Sequence, residues 1–564
     1  MIFFRFRKRN KYGGEIDPDE IFLDSSNLPD FDNQQFEGRI EKPISKKTIF
    51  SLGIFFILVV LIFTSKLFSL QIVNGEYYLS KGENNRLEHS VVFSERGIIY
   101  DKNGVELAWN GINEDDGETH AKRNYIKLFG LGHVLGYIGY PLKDNFGNYY
   151  ETKTVGKDGV EKIFDEELKG ENGLKIVEVD AFMEIKSELV VRQPKDGKNI
   201  SLTIDSELQN FMYESIENLA NEVGFHGGAG VIMNVENGEI LAMTSFPEYS
   251  SDVMTNSEDR SDVSKYIKNE DNPFLNRITS GLYIPGSVVK PFVAIGALME
   301  KIITPEKQIL STGSISLQNP YYPELKTVFK DWKAHGWVDM RQALAVSSDV
   351  YFYEIGGGYE DQKGMGIENI YKYMTMFGFG EKTGGEFVSE ENGNVPNPEW
   401  KKQVFNENWY VGNTYHTAIG QYGFQTTPIQ ICRAIVSIAN NGFLLEPVLV
   451  SGIKNKNVSK IKGVDDFSYR IAREGMRDAV LEGTAQGLNV GFVDVGAKTG
   501  TAELGVSKNY VNSWIVGFFP YDKPKYAFTI VMEKGPKENT IGGLYVMRQV
   551  LEWMNVNRPE YLGE

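Results

Sequence analysis

One cysteine, Cys432, serves a chain of 564 residues, so no disulfide can form within it. It lies in the apolar run "TPIQICRAIVSIANNG". There Thr427 and Pro428 have the form of a helix cap and first residue, and Asn-Gly that of a stop, so the thiol is expected to be buried and inert. Histidine is scarce too: six residues, scattered, with no H-E-x-x-H and no paired spacing. No metal site and no cofactor are expected from such a set. Basic charge is in deficit, with a net charge of −17, and the first 70 residues are almost balanced. The acidity therefore belongs to the remainder of the chain, which excludes nucleic acid as a natural partner.

Long hydrophobic runs are also lacking, with one exception. "TIFSLGIFFILVVLIFTS", residues 48–65, carries no charge, and the apolar pattern resumes after Lys66 in "LFSLQIV". That length spans a bilayer, with Lys66 snorkelling near one end. A cleaved signal peptide fits less well, because nearly fifty residues precede the run and no small-x-small site follows it. Lys42, Lys46 and Lys47, with "RFRKRNK" further upstream, favour a cytoplasmic N-terminus and an exported remainder. Residues 13–41 are polar, acidic and aperiodic. The expectation is a disordered cytoplasmic tail over 1–47 and a signal-anchor helix over 48–70.

From 71 to 197 the chain is polar and rich in glycine, with short strand-like pieces such as "RGIIYDKNGVELAWN" turning at Asp-Lys-Asn-Gly. A stronger pattern opens at "NISLTIDSELQNFMYESIENLANEVG", a strand and a capped helix with Leu208, Phe211, Met212, Ile216, Leu219 and Val223 at helical spacing. "AGVIMNVENGEILAMTSFP" reads as a hairpin turning at residues 236–238. Near the C-terminus "VGAKTGTAEL", "NSWIVGFFP" and "YAFTIVME" read as strands before a helix in "GLYVMRQVLEWMN". Residues 280–445 between them are mostly helical in pattern. Strands at both ends with helices between predict an α+β domain over 198–556, an antiparallel sheet flanked by helices with an inserted helical lobe. Its cleft lies between sheet and lobe. Residues 557–564 remain as a C-terminal tail.

Within that frame, "YIPGSVVKP" places Ser287 and Lys290 one helical turn apart after a Pro-Gly break. Pro291 is tolerated only in a first turn, whose amides have no intrahelical partner, so a helix is expected to start near Ser287. Residues i and i+3 share a face, and a serine beside an amine is one way to make a nucleophile without histidine. The spacing alone is common: Ser451 and Ser459 also head S-x-x-K, in the lysine-rich loop "SGIKNKNVSKIKG". Ser347 and Asp349 lie in a polar break in "MRQALAVSSDVYFYEIG", a pattern shared by Ser25–Asn27 and Ser250–Asp252, where a helix cap is the plainer reading. Lys-Thr-Gly occurs twice. Lys382 lies in a glycine-crowded loop, whereas Lys498-Thr499-Gly500 precedes the last strands and reads as an edge strand facing a cleft. There a lysine can hold a carboxylate, and Gly500 lets a substrate backbone lie close.

The ordered set S-x-x-K, S-x-D and K-T-G resembles the penicillin-binding proteins. The likeness extends through "SERGIIYDKNGVELAWN", "GHVLGYIG", "GKDGVEKIFDEELKGENG", "LTIDSELQ", "GEILAMTSFPEY", "NRITSGLYIPGSVVKP", "GQYGFQTTPIQ" and "AKTGTAE". It covers nearly all of residues 71–556 and is to class B members, elongation-type more than division-type because Asp349 stands where many carry asparagine. It implies the five-stranded penicillin-binding/β-lactamase-like transpeptidase fold behind a pedestal (dimerisation-type) domain over 71–197. That pedestal is reduced, since about a dozen residues separate "VELAWN" from "KRNYIKLFGLGHVLGY".

The resemblance implies a membrane-anchored D,D-transpeptidase that cross-links peptidoglycan stem peptides and is acylated by β-lactam antibiotics. Ser287 would be the nucleophile. Lys290 would be the general base, its pKa lowered by Lys498 and burial. Ser347 would relay a proton to the leaving D-alanine, and Asp349 would orient Lys290. Lys498 and Thr499 would bind the terminal carboxylate, and the amides of Ser287 and Thr501 would form the oxyanion hole. A SEDS-type membrane glycosyltransferase and cell-elongation proteins are the implied partners, at the cytoplasmic membrane. A β-lactam sensor, a D,D-carboxypeptidase and a non-catalytic wall scaffold are the rival readings. The sensor lacks its zinc-protease motif here, and a scaffold has no reason to keep Ser287, Lys290 and Lys498.

Overall fold

The computed structural model describes residues 45–84, 87–113, 119–145, 149–179, 185–257, 259–318, 322, 324–453, 458–505, 509–539 and 541–563. Two units compose it, 1–87 and 88–564. In the first, helix α1 (Lys46–Phe68) starts where Ser45 Oγ accepts the Thr48 amide at 3.3 Å. The apolar helix runs on through a wider turn to Val73, 28 residues in all; its most apolar 18-residue stretch has a mean hydropathy of 2.5, and none of that stretch is buried in protein. That is long and apolar enough to cross a membrane. The expected N-terminal tail lies outside the described residues, save Ser45 to Lys47, which cap and begin α1.

The second unit opens with a four-stranded sheet in the order Ile200–Ser201, Ile99–Tyr100, Glu106–Gly111, Lys122–Tyr125. The Asp-Lys-Asn-Gly turn forms as its residues demand, with Asp101 Oδ1 accepting the amides of Asn103 (2.8 Å) and Val105 (2.9 Å). Beneath it lies a buried charge cluster. Glu161, fully buried, takes Arg96 Nε at 2.5 Å on one oxygen and Arg123 Nε at 2.8 Å on the other. Arg96 also reaches the Glu161 carbonyl (2.7 Å) and Asp165 (2.8 Å). This ties the strand of "SERGIIY" to the helix in "GKDGVEKIF".

The larger part is built on α2 (Ser206–Val223), β1 (Gly227–Asn234), β2 (Ile240–Phe246), α3 (Lys290–Met299), α4 (Asp349–Gly357), α5 (Pro428–Ala439), α6 (Asp466–Leu481), β3 (Gly496–Leu504), β4 (Tyr510–Phe519), β5 (Tyr526–Pro536) and α7 (Gly543–Asn557). The five strands pair antiparallel in the order β2-β1-β5-β4-β3. Both faces of the sheet are covered. Ala229, Val231 and Met233 of β1 join the core that includes α5, while Ile232 joins the one formed with α2 and α7. Burial on both sides explains why "AGVIM" is a continuous apolar run rather than an alternating one.

Helix starts follow their residues. Asp205 Oδ1 accepts the Leu208 amide (3.1 Å), and its other oxygen takes the Tyr561 hydroxyl (2.8 Å) and Arg558 Nε (3.0 Å), so residues 558–562 pack against the start of α2. Thr427 and Gln430 cap each other ahead of Pro428. Cys432, in α5, is buried, and burial pushes its thiol up to about 12. The stretch expected to be helical, 280–445, departs from expectation at two short ladders: Ile309–Ser311 with Gly336–Val338, and Ser314–Gln318 with Lys326–Lys330. The reason is period-two burial, with Ile315 opposite Phe329 and both facing inward.

Removing the Glu161 carboxylate would leave Arg123 buried without its counter-charge and Arg96 with Asp165 alone. Glu161→Ala is expected to cost about 3–5 kcal/mol, seen as a lower melting temperature of the full-length protein in detergent; an unchanged melt would refute the role of the cluster.

Candidate active site

The turn before α3 is tight. Residues 286–289 form a 3-10 turn, and the α-helix itself begins at Lys290 with Pro291 in its first turn. Ser287 thus sits one turn ahead of the regular helix. Four contacts hold this segment: Tyr283 exchanges two 3.0 Å backbone bonds with Thr426, the Gly286 amide reaches the Gly420 carbonyl (3.0 Å), and Trp514 Nε1 reaches the Ile284 carbonyl (3.1 Å). Gly420 is required there, because a Cβ would lie 2.2 Å from the Gly286 oxygen. This gives "GQYGFQTTP" its structural purpose: it supports the Ser287 turn from behind.

Ser347 closes the opposite side. Its backbone takes a left-handed φ of 59°, uncommon for a residue with a side chain and costing about 1–3 kcal/mol. Helix α4 follows at once, with Ser348 as its cap and Asp349 as its first residue. The third wall is β3, at the edge of the sheet, which carries Lys498, Thr499, Gly500 and Thr501.

Three elements therefore meet at one hydroxyl. Lys290 Nζ donates to the Ser347 carbonyl (2.8 Å), to Ser347 Oγ (3.3 Å) and to Asp349 Oδ1 (2.7 Å). Lys498 Nζ donates to the same Ser347 Oγ (2.8 Å) and to the Thr499 carbonyl (2.8 Å). Both lysines are fully buried. A hydroxyl has two acceptor lone pairs and one hydrogen, so with both lone pairs occupied by the lysine Nζ donors the Ser347 hydrogen is left to donate into the cleft. Burial, and then the Lys290 charge, hold Lys498 well below the usual lysine range, with Asp349 opposing.

The cleft above these groups measures about 590 Å³ and is lined by Ser287, Ser347, Asp349, Thr499, Gly500 and Thr501, with Trp332, Trp514 and Tyr545 among its walls. Ser287 is half-buried, and its hydroxyl makes no hydrogen bond among the described residues. Lys290 makes its side-chain hydrogen bonds to Ser347 and Asp349. The fold itself also requires a glycine at 500, since a Cβ would lie 2.8 Å from Val288 Cγ1 and 3.1 Å from the Pro285 carbonyl. The plainer readings hold elsewhere. Ser250 caps a helix by accepting the Val253 amide (3.3 Å), Lys382 lies in a loop, and neither Ser451 nor Ser459 lines the cleft. Ser25–Asn27 falls outside the described residues.

One protein-family model spans this whole arrangement and a second matches ahead of it. The penicillin-binding protein transpeptidase domain matches residues 228–551, and the penicillin-binding protein dimerisation domain matches 116–202. The chain belongs to the penicillin-binding protein transpeptidase family. It is similar to the peptidoglycan D,D-transpeptidase MrdA of Haemophilus influenzae, 28% identical over 83% of this chain and 85% of that protein. The same-named protein of Acinetobacter baumannii is 32% identical over 74% of this chain and 64% of its own length. Among solved structures, the complex between penicillin-binding protein PBP2 and MreC from Helicobacter pylori aligns with a TM-score of 0.69 at 28% identity, over 83% of this chain and 99% of that one.

Two residues outside the S-x-x-K, S-x-D and K-T-G motifs also serve the site. Thr484, in "EGTAQG", lines the cleft with its hydroxyl 2.6 Å from that of Thr499. Asp331, its side chain buried, binds the start of α4: Oδ2 accepts Ser348 Oγ (2.9 Å), the Val350 amide (3.0 Å) and Ser311 Oγ (3.2 Å), while Oδ1 accepts the Trp332 amide (2.8 Å). Burial alone would raise its pKa. The Val350 and Asp349 amides, the Ser348 hydroxyl and the Lys290 charge outweigh that and hold it below the usual range. No sequence signal marks either residue, because each acts through partners that only the fold brings near.

Asp331 is a positioning residue for α4, so Asp331→Asn, which turns an acceptor into a donor among donors, is expected to slow penicillin acylation about 10- to 100-fold while the protein stays folded; a wild-type rate would refute it. For Lys498 the sign follows from its depressed value. Between that value and the ordinary lysine range the unfolded chain binds more protons, so stability rises with pH across this window. Lys498→Met lacks the effect. Its melting temperature relative to the parent should therefore fall as the pH rises toward the ordinary lysine range, and a constant difference would contradict the depression.

Proposed function

We propose that the protein cross-links peptidoglycan stem peptides as an elongation-type serine D,D-transpeptidase, through an acyl-enzyme on Ser287. The observation that carries this reading is the convergence of Ser287, Lys290, Ser347, Asp349 and Lys498, from three separate elements, around one cleft. The family and its MrdA relatives give the reaction class.

The chemistry runs as follows. Ser287 Oγ attacks the carbonyl between the two terminal D-alanines, with Lys290 as the general base that receives its proton. The amides of Ser287 and Thr501 receive the developing oxyanion. Ser347, hydrogen-bonded to both lysines, delivers its proton to the departing amine and is reprotonated by Lys290, which returns the proton taken from Ser287. Asp349 fixes Lys290. Thr499, backed by Thr484, receives the terminal carboxylate, with Lys498 buried behind it as a hydrogen-bond donor to Ser347. An amine from a second stem then attacks the ester and regenerates Ser287. β-Lactams acylate the same serine because their amide mimics the scissile bond and their leaving group stays attached.

By the same reading, α1 anchors the protein in the cytoplasmic membrane with its N-terminus inside, residues 71–197 form the pedestal and residues 198–556 the transpeptidase domain. A SEDS-type glycosyltransferase and other elongation proteins are the proposed partners; the related Helicobacter pylori protein was solved in complex with MreC.

Intact-mass analysis of the full-length protein in detergent, with and without penicillin, tests the assignment beside Ser287→Ala. A lasting adduct on the parent and none on the variant is expected. Rapid loss of the adduct would indicate a hydrolase, and no adduct on folded parent protein would remove Ser287 from its role.

A further inference from the structure

Trp332 belongs to two features at once. It lines the catalytic cleft, and it also begins a surface stripe that leads away from it. On the strand Lys326–Lys330, Phe329 is buried, so the alternation of a strand turns Val328 and Lys330 outward. The chain then bends through Asp331. Trp332 is 57% exposed, and Lys333 Nζ lies 4.6 Å over its ring. Five residues on, Trp337 is 62% exposed and pairs across the ladder with Leu310, itself 43% exposed, while its neighbour Val338 is buried. Two tryptophans this open, five residues apart in the chain and with apolar neighbours, are costly to leave in water and mark a contact surface.

Charge indicates the occupant. The protein as a whole carries −17, yet neither Lys330 nor Lys333 pairs with a carboxylate within the described residues. An anionic partner is therefore attracted to this stripe and repelled by most of the remaining surface. Its continuity with the cleft narrows the choice. Cross-linking needs two strands at one serine, one as acyl donor within the cleft and one bringing an amine from outside.

We infer that the stripe formed by Leu310, Val328, Lys330, Trp332, Lys333 and Trp337 is the docking surface for the acceptor peptidoglycan strand. The inference rests on the transpeptidase reading of the cleft. The flat apolar faces of the sugars stack on the two indoles, and the carboxylates of the stem peptides meet Lys330 and Lys333. The arrangement delivers the acceptor amine past Trp332, the wall shared by stripe and cleft. Asp331 links the two, since one of its oxygens holds the Trp332 amide and the other the start of α4.

The test uses full-length protein in detergent, with soluble uncross-linked glycan strands bearing stem peptides as the probe. Trp337→Ala and the double variant Lys330→Glu/Lys333→Glu are compared with the parent for strand binding and, in parallel, for the penicillin adduct on Ser287. Each variant is expected to weaken strand binding about tenfold, and the lysine variant should also flatten its dependence on salt. The adduct should form at the parental rate in both, which separates loss of docking from loss of fold or chemistry. Strand binding that is unchanged in both variants would overturn the inference, as would parental binding that survives removal of the strands' stem carboxylates and is insensitive to salt. Failure of the parent itself to form the adduct would instead refute the reading of Ser287, whatever the strands do.

Discussion

Two buried lysines share one serine oxygen, and the rest of the molecule is organised around keeping them there. Lys290 and Lys498 both donate to Ser347 Oγ from different elements, and the like charges disfavour each other in a medium where screening is weak. Asp349 answers one of them at 2.7 Å. The other carries the cost as a depressed affinity for its proton. Such a group cannot be left to a mobile loop. It needs the ordered edge of a sheet, the first turn of one helix and the first turn of another, each held from behind.

The supports are visible in the packing. Gly420 and Thr426 hold the segment before Ser287, Trp514 reaches over from the sheet, and the missing side chain of Gly500 lets the edge strand close against Val288. Asp331 does the corresponding work for α4. Its carboxylate gathers the donors of Ser348, Val350 and Trp332, and so joins the catalytic turn to the exposed tryptophan rim.

Much of the site was legible before any coordinates. Ser287 and Lys290 stand out because Pro291 confines them to a helix start, and Lys498 because its Lys-Thr-Gly heads a strand whereas that of Lys382 is crowded by glycine. What could not be read was direction. The spacing of Ser287 and Lys290 places them on one face, but whether the amine turns to the serine or away is decided by the acceptors opposite, on a segment nearly sixty residues later. Asp331 and Thr484 were invisible for the same reason, since an aspartate or threonine in a polar stretch looks alike whether it faces water or a buried hydroxyl. The two ladders inside the helical lobe were missed because strands of three and five residues are too short for alternation to outweigh their helical surroundings.

By itself the sequence determined the periodic and the capped: α1 from an uncharged run, α2 and α5 from their caps and apolar spacing, the hairpin of β1 and β2 from its turn, and the order of the motifs along the chain. These depend on neighbours a few residues apart, and such interactions are written locally. Only the tertiary structure decided that β3 lies at the sheet edge beside α3 and α4, that Ser347 receives two ammonium groups, and that Trp332 is both cleft wall and surface. Those facts depend on distances between residues far apart in the chain, set by burial of both faces of one sheet, and no local pattern records them.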